Sequence, residues 1–462
     1  MSKIEVDKID PQSGTDLELG TSGDTITIPA GVTFDSSAAT NTLPATVVTT
    51  TGTQTLTNKN IVASQLTGTV ATSNLGTGTA DSTTFLRGDQ TYASATPADN
   101  SITTAQLAYN PNAFRNIIIN GDMSLAQRGT STTGVTTSDG YYACDRWYSQ
   151  TDTGTWTISQ STDVPTGQGF FNSFKLDCTS AGTSNADEVM IRSRNEGQNL
   201  QYLKYGTTNA SSLTLSFWIK SNKTGNYYLA MANANTTQDR VISFGYTIDS
   251  ANTWEKKTIT IPGDTARSID NTNGEELTLY WLFSAASGFT SGGVSNTWTN
   301  YAANRFANSD LAGLGGSTSD YVNITGVQLE AGTTASEFEF LPHDVNLQRC
   351  FRYYKTLLNL NSNALGIAAA FYTASNNGRF SLTINTPMRT IPTLEQTTGT
   401  DYYTIFSAGG GQDRINSFTL MSNTSDRFIL CHNTSETSGT AGQAGYALSN
   451  SDAAYLALSS EL

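Results

Sequence analysis

The chain has 462 residues, of which 37% are hydrophobic and only 14% charged, and it carries a net charge of −14. Both shares fall below the roughly 45–50% and about 25% usual for globular domains, and Thr, Ser, Asn and Gly fill the gap, a composition poor for helices and suited to strands and turns. With only 25 basic residues and no basic run, the balance argues against nucleic acid as a partner, since affinity for phosphates depends on Lys and Arg.

In chain order, residues 1–45 offer two short strand candidates, Ile4–Val6 and Thr25–Ile28, in a segment too small for a core of its own. Its charged opening, MSKIEVDKID, fits neither a signal peptide nor a membrane span, so no membrane insertion is expected. Residues 46–112 are Thr, Gly, Ser, Ala and Asn with one apolar residue returning at Leu56, Ile61, Leu66, Val70 and Leu75. That regular return favours a thin intertwined stalk, in which three chains supply the core that one cannot, over a disordered linker. Ser101–Leu107 reads as one or two helical turns that cap it.

Residues 113–342 read as a β-sandwich. FRNIIINGDMSL predicts a strand ended by the turn dipeptide Asn120-Gly121. In LTLSFWIKS, Leu213, Leu215, Phe217 and Ile219 share one face, and Leu277, Leu279, Trp281 and Phe283 repeat the pattern. Such period-two alternation between Gly, Asn and Asp turns marks half-buried antiparallel strands. In YVNITGVQLEAGTTASEFEF, Val322 and Ile324 share one face but Val327 and Leu329 the other, so a bulge is expected at Gly326.

Residues 343–462 read as a second β-rich unit. Asp344–Cys350 predicts a short helix with Asp344 at its N-cap. Strands are expected over Phe351–Leu358, Ala368–Tyr372, Phe380–Ile384, Tyr402–Phe406, Ser417–Met421 and Arg427–Cys431, and none in the small, polar last twenty residues. Cys144, Cys178, Cys350 and Cys431 fit no metal spacing and are expected as buried free thiols.

NIIINGDMSLAQRGTS, YYACDRW, EGQNLQYLKYGT, LTLSFWIKSNKTG, TWEKKTITIPGDT and YVNITGVQLEAGTTASEFE, in that order, resemble a jelly-roll module of bacteriophage tail fibres. CFRYYKT and TPMRTIPT resemble the element that follows it, and TLTNKN and STTFLRGDQTY resemble fibre-shaft motifs, so the likeness covers most of residues 46–393. Phe351 stands where the family often has Gln, and the segment after Thr400 carries no resemblance. The resemblance implies an all-β, elongated homotrimeric fibre with an N-terminal attachment segment, an intertwined stalk, a jelly-roll β-sandwich and a C-terminal β-rich tip domain. It implies a receptor-binding protein of the virion, assembled in the host cytoplasm, docked to a tail or baseplate protein through its N-terminus and to a host surface glycan through its outer domains. A tailspike depolymerase and a purely structural virion protein are the alternatives.

Sugar binding needs a flat apolar face beside amides or carboxylates. Trp218, Trp254 and Trp281 lie in strands among apolar neighbours, so core packing is their expected role. Trp298, in a long polar loop with Asn296 and Tyr301, is the stacking candidate of the sandwich. Trp147, beside Asp145 and Arg146, is a second, and Tyr402 and Tyr403 are the candidates of the tip. Jelly-roll modules of this kind often carry a structural calcium, for which Asp122 and Glu330 are the candidates; no other cofactor is expected. The paired carboxylates Glu337/Glu339, Glu275/Glu276 and Asp187/Glu188 read as solvated edges, there are only two histidines, and no GxSxG run or long β-helix repeat exists, so no enzymatic activity is expected.

Overall fold

The computed structural model describes residues 114–462 apart from 184–186, 234–239 and 360–362, and before these only parts of 22–33 and 71–94. The expected strand at Ile4–Val6, the turns at 101–107 and most of the stalk lie outside the described residues, and the candidate at 25–28 is described only in part. The chain divides into two compact units, Met1–Ala108 and Tyr109–Leu462. In the first, β1 (Thr84–Leu86) pairs with β2 (Tyr92–Ser94) antiparallel, Thr84 opposite Ser94 and Leu86 opposite Tyr92.

The second unit begins with two antiparallel sheets around one core. Their strands are β3 (Ser131–Val135), β4 (Ser138–Tyr141), β5 (Tyr148–Thr151), β6 (Thr155–Ser161), β7 (Ser173–Ser180), β8 (Val189–Glu196) and β9 (Leu213–Ser221). There follow β10 (Gly225–Asn233), β11 (Arg240–Ile248), β12 (Glu255–Ile261), β13 (Glu275–Ser284), β14 (Thr299–Asn300) and β15 (Tyr321–Ala331). One sheet runs β14-β11-β10-β13-β8-β5-β4 and the other β12-β9-β15-β7-β6-β3. The alternation fixes their inner faces: Leu213, Leu215, Phe217 and Ile219 from β9 and Leu277, Leu279, Trp281 and Phe283 from β13 are all fully buried in one cluster. Trp281 lies between Trp147 at 5.6 Å and Phe217 at 5.9 Å between ring centroids. Each such ring removes 150–250 Å² from water, about 4–6 kcal/mol as an upper estimate.

The phase change in β15 is a bulge. Thr325 pairs with Trp218 and Gln328 with Ser216, so Gly326 and Val327 together oppose Phe217. The extra residue returns Val327 and Leu329 to the core that Val322 and Ile324 already face. Gly326 sits at φ +61°, and a Cβ there would lie 2.6 Å from the Phe170 ring, which accounts for glycine.

The opening run FRNIIINGDMSL differs from expectation: it forms no regular strand. It lies along β15 by single bonds, Ile117 N to Leu329 O (2.9 Å) and Val327 N to Gly121 O (2.9 Å). Asn116 takes over ladder positions: its Oδ1 accepts from the N–H of Ile118 and Leu329, and its Nδ2 donates to Val327 O. The left-handed Asn120 and Met123 then end the run.

After the sandwich comes a helix, His343–Phe351, one residue longer at each end than expected. Its N-cap is Pro342, whose carbonyl accepts from Asn346 N, and Asp344 sits in the first turn near the positive end of the helix. The strands that follow are β16 (Tyr354–Leu358), β17 (Gly366–Ala374), β18 (Asn377–Thr383), β19 (Thr393–Gln396), β20 (Tyr403–Ser407), β21 (Gln412–Ile415), β22 (Thr419–Leu420), β23 (Phe428–Asn433), β24 (Ala444–Ser449) and β25 (Leu456–Ser459). They make a three-stranded sheet, β16-β25-β19, and a seven-stranded one, β21-β20-β24-β17-β18-β23-β22, over a second apolar cluster. The last twenty residues are a correction: they supply both β24 and β25, and both strands are central in their sheets. Their small residues are what close pairing demands, since a Cβ at Gly445 would meet the Phe406 carbonyl oxygen at 1.8 Å.

The motif CFRYYKT fastens this unit to the sandwich. Cys350 is buried as a free thiol, as are the other three cysteines. Arg352 donates through Nε and Nη2 to the two oxygens of Glu196 on β8, each at 2.7 Å. The Arg146 guanidinium lies 3.6 Å from the Tyr353 ring centre and pairs with Glu461, and that of Arg128 lies 3.4 Å from the Tyr354 ring centre. Gln127 Nε2 donates to the Tyr354 carbonyl at 2.9 Å.

Candidate functional site

The parity that turns Leu213, Leu215, Phe217 and Ile219 inward turns Thr214, Ser216, Trp218 and Lys220 outward. Trp218 is half-buried on the outer face of the six-stranded sheet, opposite Lys256 on β12 and Thr325 on β15. The expectation that Trp218 and Trp254 are core residues is therefore corrected, while Trp281 is buried as expected.

The chain after β15 folds back over this face instead of continuing as a strand. Gln328 Nε2 donates to Ser336 Oγ and the Glu337 carbonyl, and Gln328 Oε1 accepts from Glu339 N at 2.8 Å. Glu330 accepts from Ser336 N and Oγ. Pinned this way, the segment delivers Phe338 and Phe340 to Phe170, with three ring-to-ring distances of 4.9–5.1 Å. The bulge at Gly326 leaves the space for Phe170. These rings wall a cleft of about 310 Å³ whose lining includes Trp218, Lys256, Gln168 and Glu337.

The polar groups of this cleft are uncommitted. Among the described residues the Trp218 indole N–H, the Lys256 ammonium, the Gln168 side-chain amide and the Glu337 carboxylate have no hydrogen-bond partner. Close by on the same face, polar groups pair with one another. Lys220 Nζ and Trp254 Nε1 donate to the two oxygens of Asp163 at 2.7 and 3.0 Å. Burial alone would raise the Asp163 carboxyl, but these donors outweigh it and hold it below its usual range. An aromatic floor and wall ringed by free donors and acceptors is the chemistry a sugar ring needs: C–H faces against the π-surface and hydroxyls to the rim.

The residues singled out from sequence do not come together. Trp298 is half-buried and donates Nε1–H to the Pro262 carbonyl at 2.7 Å, with its ring edge-on to Tyr205, so it anchors its own loop. Tyr301 is exposed and edge-on to Phe306, and Asn296 is exposed. Trp147 is fully buried, bonded to the Asn120 carbonyl, and offers no face for stacking. Asp145 beside it accepts from Gln127 N and Nε2, and burial pushes its carboxyl up to about 6. Tyr403 is fully buried as well, with its hydroxyl 2.7 Å from the Tyr455 carbonyl oxygen. Tyr402 is half-buried, and its ring covers Gly399.

Asp122 and Glu330, the calcium candidates, are both engaged by protein donors. Asp122 Oδ1 accepts from Ser124 and Asn346, while Glu330 is held by Ser336, Gln328 and Arg115. A cation would have to displace these donors. No cluster of three or more His, Cys, Asp or Glu occurs among the described residues. Of the paired carboxylates, Glu276 binds Arg267, Glu275 lies 3.5 Å from Arg194, and Glu339 accepts from the N–H of Phe114 and Asn116.

No family model and no curated protein matches the chain. Among solved structures it is similar to the enzymatically active domain of tailspike protein 4 of bacteriophage CBA120, at 14% identity and a TM-score of 0.27 over 47% of this chain. That match spans only 22% of the tailspike chain. It is also similar to the CBM22-2 xylan-binding domain of Paenibacillus barcinonensis, at 14% identity and a TM-score of 0.24 over 40% of this chain and 92% of that one. A third is the family 11 carbohydrate-binding module of a Clostridium thermocellum cellulase, at 13% identity and a TM-score of 0.22 over 44% of this chain and 98% of that one.

Proposed function

We propose that this chain is an attachment protein: a trimeric tail fibre of a bacteriophage that holds a glycan of the bacterial surface in the Trp218 cleft. The observation that supports this reading is the cleft itself, where a half-buried indole, an aromatic wall and four unpartnered polar side chains converge. Residues 1–45 dock to the tail or baseplate, residues 46–112 form the stalk, and the two β units face the host. Three copies turn a weak single-site affinity into firm attachment by raising effective concentration. The reading calls for binding alone, with no catalytic step.

The test is adsorption. Virions carrying Trp218→Ala are expected to adsorb to host cells at least about tenfold more slowly, and the purified chain to run as a trimer in sedimentation. Unchanged adsorption, or a monomer, contradicts the proposal.

A further inference from the structure

A second cleft, of about 330 Å³, opens where the helix His343–Phe351 meets the sandwich. Arg349, in the last turn of that helix, lines it. The arginines around Arg349 each have a carboxylate: Arg352 has Glu196, Arg146 has Glu461 and Arg115 has Glu330. Arg349 has none within salt-bridge distance among the described residues. Of its five N–H donors, one, at Nη2, reaches a protein acceptor, the Asn116 carbonyl, at 3.2 Å. Burial lowers the pKa of this guanidinium, and the groups near it offset that only in part.

A half-buried guanidinium without a carboxylate in direct contact is costly unless something else supplies one. Glu339 acts on Arg349 through its charge but offsets the burial only in part, with both its oxygens accepting from the N–H groups of Phe114 and Asn116, and Glu196 is taken by Arg352 and Gln198. The other walls are aromatic and open. Phe114 is 61% exposed and Tyr202 51% exposed, and both line the same cleft with Asn199, whose side-chain amide is uncommitted. We infer that this cleft binds an anionic sugar residue, its carboxylate or phosphate on the Arg349 fork and its ring against Phe114 and Tyr202. It is a site separate from the Trp218 cleft, with which it shares no lining residue, and it does not depend on the reading given for that one.

The experiment is calorimetric titration of the full-length protein with digalacturonate, glucose 1-phosphate and neutral maltose. At least one anionic probe is expected to bind about tenfold or more tightly than maltose, and which one distinguishes a sugar carboxylate from a sugar phosphate. Arg349→Met is expected to weaken that binding at least about tenfold, and Arg349→Lys less, because a lysine keeps the charge but not the fork. Tyr202→Ala, at an exposed side chain, weakens it without touching the core, and Trp218→Ala leaves it unchanged. Failure of both anionic probes to bind overturns the inference. So does binding that survives both Arg349→Met and Tyr202→Ala, or binding that is lost in Trp218→Ala.

Discussion

Replacing Arg352 by methionine removes one guanidinium and leaves the Glu196 carboxylate behind. Glu196 is fully buried, and its two oxygens accept the Nε and Nη2 hydrogens of Arg352 at 2.7 Å, with Gln198 as a further donor. Breaking a buried pair from one side costs about 3–5 kcal/mol, because an uncompensated charge remains. The effect depends on pH in a defined direction. Burial by itself raises the Glu196 carboxyl, but the donors from Arg352 and Tyr353 outweigh it and hold the folded value below the usual range. A depressed carboxyl contributes stability that is full above the unfolded pKa of roughly 4.3 and is lost as pH falls through the lower folded value. The gap between wild type and Arg352→Met is therefore largest near neutrality and closes below about pH 4. Urea unfolding followed by near-ultraviolet circular dichroism, at pH 7 and in steps down to pH 3, measures it. Adding Glu196→Gln to Arg352→Met should recover much of the loss by removing the stranded charge. A loss at pH 7 under about 1 kcal/mol, the scale of a surface ion pair, refutes the reasoning, as does a gap that stays constant into acid.

Three further outcomes follow from particular contacts. Gly326→Ala places a Cβ at φ +61° and 2.6 Å from the Phe170 ring, so it should destabilise by about 2–4 kcal/mol and disturb the Phe338–Phe340 wall; an unchanged urea midpoint contradicts this. Asp145 titrates at about 6 when folded, above its unfolded value of roughly 3.9, so its contribution is full below that value and is lost as pH rises towards 6. Asp145→Asn should flatten that fall, worth about 2–3 kcal/mol, and a profile of urea midpoints between pH 4 and 7 that matches wild type counts against it. Trp298→Phe removes the bond to Pro262 and should cost about 0.5–1.5 kcal/mol in thermal unfolding while leaving oligosaccharide binding intact; lost binding would restore Trp298 as a ligand contact.

The sandwich was legible because its signal is local. Alternation in β9 and β13 gave the inner faces, and the phase change across Gly326 gave the bulge. Trp218 is legible too, since it shares parity with Thr214, Ser216 and Lys220, although a tryptophan among apolar neighbours also fits a core position. The wall of the cleft was not legible. Phe338 and Phe340 reach Phe170 only because Gln328 and Glu330 draw the following segment back over the sheet, and bonds between side chain and backbone leave no periodic trace. The opening run after Phe114 misled for a related reason: three consecutive isoleucines look like a strand, yet the Asn116 side chain occupies the ladder. In the last twenty residues, β24 and β25 are short and interleave Leu456 and Leu458, both buried in the core, with Ala, Gly and Ser, so their hydrophobic signal is too brief to stand out. Arg349 could be noted from sequence as a basic residue in a short helix, but its lack of a carboxylate partner exists only in three dimensions.

The central claim is that the Trp218 cleft holds a glycan. Its most direct measurement is the binding of full-length protein to an array of bacterial capsular and O-antigen oligosaccharides, with wild type and Trp218→Ala compared side by side. The account predicts at least one bound oligosaccharide whose signal falls about tenfold or more in Trp218→Ala, at a cost in stability small enough to leave the fold intact. No bound glycan at all, or a bound glycan indifferent to Trp218, would contradict it.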